Sequence, residues 1–244
     1  MIRSESSEVP GFYGKFPELG DFVNRRIPQS FLDPWDFWLQ GVMAASKEEL
    51  GDDWLDYYLT SPIWRFILTN TVCSESSWGG VIMPSVDRVG RYFPLTLAVR
   101  LTDMFYPTSL ISKADSWFAE AESVALVALD SSKFDLEEFD SKVVGLGMPE
   151  LPPSKIEMSS SFGFGTSWQI PLSQGQPDNE LNILLHQTLT SRLGNYSCWW
   201  GVGSDRVESS LLITEGLPNS IQFSAMLTGD WTKGGWDSWG TDSL

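Results

Sequence analysis

Residues Trp78 to Val99 read WGGVIMPSVDRVGRYFPLTLAV. Two apolar runs flank a polar insert, SVDRVGR, so the stretch predicts two strands joined by a turn. With the run IWRFILTNTV before it, from Ile63 to Val72, it predicts the start of an antiparallel or mixed sheet. The insert sets one aspartate and two arginines between segments that otherwise read as core. Either they carry chemistry or they hold the fold together. Ser85, Asp87, Arg88 and Arg91 could build a phosphate-handling or acyl-transfer site. Against that, the set has no base, no metal-ligand spacing and no oxyanion-hole signature. The rigid fork of arginine matches a carboxylate bidentately, so Asp87 with Arg88 or Arg91 can staple the turn or hold a neighbouring strand. A structural or docking role is the reading taken, with a hydrolase or phosphate-handling enzyme as the alternative.

Upstream, GFYGKF predicts a short aromatic strand closed by the turn PELGD. IPQSFLDPWDFWLQGVMAASKEEL predicts a helix with Asp33 as N-cap and Pro34 at the first helical position. Trp35, Trp38, Leu39 and Val42 follow at helical spacing. DDWLDYYLT predicts a second helix ending before Ser61-Pro62. Downstream, SLISKADSWFAEAESVALVALD predicts one long helix and FDLEEFDSKVVGL a shorter one. GLGMPELPPSKIEMSSS predicts a loop between two halves of the sheet, or a weak domain boundary. SFGFGTSWQI alternates like a strand, NELNILLHQTLTSRLG reads as a helix with Gly194 at C′, and YSCWWGVG and SSLLITEGL read as strands. Strands before and after helices imply a layered α/β or α+β domain. The expected divisions are a disordered lead over 1–9, a single domain over 10–228 and a flexible Trp/Gly/Asp-rich tail over 229–244.

A chain of 244 residues is long enough to bury a core without a disulfide or metal staple. Its two cysteines, Cys73 and Cys198, share no short spacing with each other or with the single histidine, His186, which argues against a zinc site and a disulfide framework and suits a reducing compartment. MIRSESSEV lacks an apolar leader and no apolar run reaches membrane-spanning length, so a cytoplasmic protein without membrane insertion is expected. The net charge of −16 repels a phosphate backbone, which argues against nucleic acid as a partner. Twelve tryptophans are an unusual number. Most belong in the core, yet tryptophan also leads the residues that dominate binding hot spots.

The remaining motifs fail on chemistry. GFYGKF holds a Gly-Lys pair, but Gly11 and Gly14 are too close for a phosphate loop and Phe16 stands where a hydroxyl would hold magnesium. His186 lies in an amphipathic helix with no nucleophile motif for it to serve. Asp52-Asp53 and Glu137-Glu138 lack further ligands at metal spacing. GVGSD is a turn, not a dinucleotide fingerprint. No catalytic residue, metal or cofactor is expected.

The order GFYGKFPELGDFVNRRIP, WDFWLQ, SPIWRFIL and WGGVIMPSVDRVGRYFPL resembles the TagF family (also called ImpM or SciT), encoded with bacterial type VI secretion systems. The similarity covers Gly11 to Leu101, with weaker agreement in SCWWGVG and GLPNSIQFSAMLTGDW. It implies a three-layer α/β/α sandwich with a mixed, largely antiparallel sheet. It also implies a cytoplasmic post-translational repressor of secretion that acts by protein contact with a secretion component such as the forkhead-associated scaffold protein. The positions matching the signature are Gly14, Lys15, Gly20, Asp21, Trp64, Arg65, Pro84, Ser85, Asp87, Arg88, Gly90, Arg91 and Pro94. Some relatives carry a serine/threonine phosphatase domain; no metal-binding aspartate set is evident here, so the chain resembles the stand-alone form. The acidic surface is expected to meet a basic face of the partner, either with Trp231, Trp236 and Trp239 of the tail as apolar anchors or with the tail solubilising and touching nothing.

Overall fold

The computed structural model describes residues 9–101, 106–130, 134–150 and 177–237. The expected strand SFGFGTSWQI, most of the Pro/Gly/Ser-rich segment, Trp239 and the lead over 1–8 lie outside these residues. Strand β3 (Trp64–Leu68) shows how the core is divided. Its residues alternate, so Trp64, Phe66 and Leu68 enter one apolar cluster and Ile67 the other. The same alternation runs through β4 (Trp78–Met83) and β5 (Leu95–Arg100), where Ile82 and Ala98 face one cluster and Val81 and Leu97 the other. These two strands pair antiparallel with Val81 opposite Leu97, as the alternation either side of SVDRVGR requires. Gly80 sits in this register because a Cβ there would lie 2.1 Å from the Leu97 carbonyl oxygen.

The short strands β1 (Gly11–Gly14) and β2 (Val23–Arg25) extend the sheet on one side. On the other side stand β6 (Tyr196–Trp200) and β7 (Leu211–Glu215). The order is β2-β1-β5-β4-β3-β6-β7, and every pairing among the described strands is antiparallel. The chain is thus an α/β fold built on a seven-stranded antiparallel sheet.

The first cluster receives α1 (Gln29–Leu50), α2 (Trp54–Thr60) and α7 (Ser220–Thr228). The second receives α3 (Ser109–Lys113), α4 (Asp115–Val127), α5 (Leu136–Gly145) and α6 (Asp178–Leu193). Helix α1 begins after Pro28, one turn earlier than Asp33 and Pro34 suggested, and Pro34 lies inside it. The apolar stripe explains the difference. Phe31 is fully buried and stacks on Trp35 at 5.4 Å, so burial of Phe31 draws the preceding turn into the helix. Asp33 accepts a hydrogen bond from the Gln29 side chain and caps nothing. The single helix expected over 109–130 is two, broken at Ala114, where Asp115 opens α4 and pairs with Arg65 of β3.

Helix α7 was not among the expected elements. Asn219 and Gln222 form a capping box at its start, and Gly229 ends it with φ of 78°. The segment after Gly229 corrects the expectation of a tail that is free from 229 onward. Residues 229–237 fold back on the body. Gly234 is buried against Ala225, the Trp236 Nε1 donates to the Gln222 carbonyl at 3.2 Å, and Trp231 meets Trp64 edge-on at 6.3 Å.

Candidate functional site

Between β4 and β5 the chain makes a hairpin whose turn is tied by its own backbone. The Asp87 N–H donates to the Arg91 carbonyl at 3.0 Å and the Gly90 N–H to the Asp87 carbonyl at 2.9 Å. Gly90 has φ of 83°, a conformation open to glycine. The Asp87 side chain points inward with no exposed surface. Its Oδ1 accepts the backbone N–H groups of Val89 at 3.0 Å and Arg91 at 2.8 Å. Its Oδ2 accepts Arg91 Nε at 2.6 Å and pairs with Lys15 Nζ at 3.1 Å. Burial alone would raise the pKa of this carboxyl. The hydrogen bonds from the Arg91 backbone and guanidinium, from Lys15 and from Val89 outweigh burial and hold it well below the usual carboxylate range.

The cations come from separate places. Lys15 follows β1, is buried, and sets Nζ 4.9 Å from the centre of the Phe22 ring. Gly14 before it has φ of 145° and lies so close to Pro94 that a Cβ would stand 2.3 Å from the Pro94 carbonyl oxygen. Arg91 reaches from the turn to the Gly20 carbonyl at 2.5 Å, and the Arg88 N–H donates to the Leu19 carbonyl at 3.0 Å. The Asp21 carboxylate accepts the N–H of Phe22. Ser85, directly after Pro84, is buried and donates its hydroxyl to the Lys15 carbonyl at 2.7 Å. Tyr58 of α2 bridges it, donating to the Ser85 carbonyl and accepting the Ser85 N–H, both at 2.9 Å. Most of the signature residues thus meet at one end of the sheet.

Trp64 and Arg65 sit on β3 and point to opposite faces. Arg65 crosses to α4, where Nε and Nη2 grip the Glu122 carboxylate at 2.7 and 3.1 Å and Nη1 reaches Asp115 at 2.6 Å. Trp64 is buried on the other face, and its Nε1 has no partner among the described residues.

This arrangement leaves no reacting centre at the hairpin. A carboxylate that accepts four hydrogen bonds has no lone pair for a proton or metal. The Ser85 hydroxyl is given to a carbonyl rather than held by a base. The apolar crevice beside it, lined by Tyr58, Trp64, Pro84 and Pro94, has free space of ≈ 20 Å³, enough for a water molecule. A hollow of ≈ 420 Å³ lined by Ser30, Ser74, Glu75 and Arg100 shares no residue with the signature. Among the described residues no group of three or more His, Cys, Asp or Glu is placed to hold a metal. His186 shares a 2.7 Å hydrogen bond with the Tyr196 hydroxyl, and burial pushes its pKa down.

Two of the four residues considered for chemistry, Ser85 and Asp87, are sealed inside, and Arg91 is tied to Asp87 and Gly20. Arg88 alone is exposed with its guanidinium unpaired among the described residues. Sequence reasoning missed Tyr58 and Phe22. Their partners are 27 and 71 residues away for Tyr58 with Ser85 and Phe22 with Phe93, so no local spacing announces them.

The family model of the TagF N-terminal domain, type VI secretion system-associated, matches residues 11–146, which hold the whole hairpin and its Lys15 partner. The solved structure of PA0076 from Pseudomonas aeruginosa PAO1 aligns with 96% of this chain and 99% of its own, at 35% sequence identity and a TM-score of 0.76. Among curated protein sequences none is significantly similar. Among the described residues no helix is long and apolar enough to cross a membrane.

Proposed function

Since the chain belongs to the TagF family of type VI secretion system-associated proteins, we propose that it restrains type VI secretion after the components are made, by contact and without catalysis. Its partner in this reading is the forkhead-associated scaffold protein of the system, met in the cytoplasm. The observation that supports contact over chemistry is the saturation of Asp87. The polar residues between the two core strands are spent on fixing a turn, which then carries Arg88 and Val89 into solvent. A catalytic cluster leaves its acid or nucleophile facing a reactant. No observation favours the hydrolase alternative.

Affinity capture of the tagged chain from cells carrying the intact secretion cluster, read by mass spectrometry, tests the partner. The scaffold protein is expected to co-purify, and to do so with the purified pair. Absence of every secretion component would overturn the reading. Purified protein is likewise expected to turn over no phosphate ester, acyl ester or nucleotide, and metal-dependent turnover lost in Asp87→Asn would overturn the non-enzymatic part.

A further inference from the structure

Helix α1 carries two residues that the fold itself does not explain. Its inner stripe, with Phe31, Trp35, Leu39, Val42 and Met43 buried, is spent on the first cluster. On the opposite side Asp33, Phe37, Gln40, Gly41, Ala44 and Glu48 recur three or four residues apart and are all exposed. Phe37, in the middle of that stripe, is 82% exposed and makes no ring contact among the described residues. Gly41 stands four residues on, on the same face. Its φ is not positive and a Cβ there would meet nothing within 4 Å, so neither the backbone nor a neighbour calls for glycine. Glycine at such a place weakens a helix relative to alanine. A bulky ring next to a missing side chain is a ridge beside a gap, the relief into which another element packs.

The charge around this relief is one-sided. Helix α1 holds the carboxylates of Asp33, Asp36, Glu48 and Glu49 against one cation, Lys47, whose Nζ lies 5.5 Å from the centre of the Trp54 ring. Asp33 accepts a hydrogen bond from the Gln29 side chain, Asp36 from the Tyr13 hydroxyl at 2.6 Å and from Gln40 at 2.5 Å, and Glu49 from the Ser224 hydroxyl at 2.5 Å. These donors are neutral, so they hold the carboxylates in place and leave the charge unanswered. A second copy of the chain would bring the same carboxylates against these, and an anionic membrane would bring phosphates. Both are repelled, and the net charge of −16 acts in the same sense.

We infer that the outward face of α1 docks a basic, amphipathic segment of a protein partner. An apolar side chain of that segment sits over Gly41 against the Phe37 ring, and its lysines or arginines lie beside Asp33 and Asp36. The exposed ring supplies the anchor, and carboxylates already held by Gln29, Tyr13 and Gln40 attract the partner with little further ordering. The inference rests on the proposal that the chain works by contact, and gives that contact an address and a chemistry.

The test uses the full chain, the variants Phe37→Ser, Gly41→Gln, Asp33→Lys and Glu120→Lys, and a fluorescein-labelled peptide in which leucines four residues apart are surrounded by lysines and arginines. All four positions are exposed. Phe37→Ser is expected to melt as the wild type does, and Gly41→Gln no lower, because glutamine is the better helix former. The wild type is expected to bind the peptide, and Phe37→Ser and Gly41→Gln each to lose roughly tenfold in affinity. Asp33→Lys and Glu120→Lys change the net charge equally, but Glu120 belongs to α4, across the sheet from α1. The larger loss is therefore expected in Asp33→Lys. Equal losses in the two lysine variants, or binding indifferent to Phe37→Ser and Gly41→Gln, would overturn the inference. A wild-type dimer in sedimentation that Phe37→Ser dissolves would overturn it in favour of a second copy. A melting temperature lowered by Phe37→Ser would overturn it in favour of cover by another part of this chain. Secretion is read in parallel. Peptide binding through Phe37 in a chain whose loss leaves secretion unchanged sinks the repressor reading alone. Full repression and unaltered peptide binding by Phe37→Ser sink the docking face alone.

Discussion

A carboxylate with no exposed surface persists in a folded chain only when its charge is answered, and Asp87 is answered by four donors. Asp87→Asn keeps the shape but leaves Lys15 buried without its counter-charge, so a loss of about 3–5 kcal/mol is expected in urea unfolding at pH 7. Arg91→Ala removes a half-exposed partner and spares Lys15 and the Val89 N–H, so a smaller loss of about 1 kcal/mol is expected. The acid limb follows from the sign of the shift. The folded pKa of Asp87 lies below its ordinary 3.8, so its contribution is complete above that pH and is lost as pH falls through the folded value. Asp87→Asn lacks that limb. His186 acts at milder pH. Burial lowers its pKa from 6.5, so acidification protonates the unfolded chain first and stability falls as pH drops below 6.5. Melting at pH 7.5 and 5.5 should show a smaller acid loss in His186→Gln than in the wild type; an equal loss would remove His186 as its source.

At the scale of elements, Arg65 ties the sheet to α4 with two carboxylates in unlike settings. Glu122 keeps 16% of its side-chain surface and Asp115 keeps 80%. Glu122→Gln is therefore expected to cost about 2–3 kcal/mol, and Asp115→Asn under about 1 kcal/mol. A reversed order in urea unfolding would show that Asp115 at the start of α4 carries the tie. Helix α7 depends on its cap, and Asn219→Ala should cost about 1 kcal/mol by the same measurement. Elements of this kind differ in how far sequence reveals them. Strands β3, β4 and β5 were legible because alternation and burial coincide. The start of α1 was not, because Pro34 imitates a first-turn residue while Phe31, one turn earlier, supplies the decisive burial. Helix α7 is announced in the sequence by Asn219, Gln222 and Gly229 of NSIQFSAMLTG. At the hairpin, the Asp87–Arg91 pair follows from i,i+4 proximity in a tight turn. The roles of Lys15 and Tyr58 depend on segments brought together only by β1 pairing with β5 and α2 packing on the sheet.

For the whole molecule, Trp231 and Trp236 cover the body's own core. A chain ending at Thr228 is then expected to melt lower than the full chain, because it uncovers Trp64 and strips α7 of its Gly229 cap. An unchanged melting temperature would return the segment to the role of a free tail. Restraint of secretion by binding is tested in the host itself. The direct measurement is the amount of a secreted type VI substrate in the medium of a host that lacks the chain, and of one that overproduces it, with component abundance followed in the cells. More secretion without the chain and silence with the excess are expected, at constant component levels. Secretion unchanged in both hosts would contradict it.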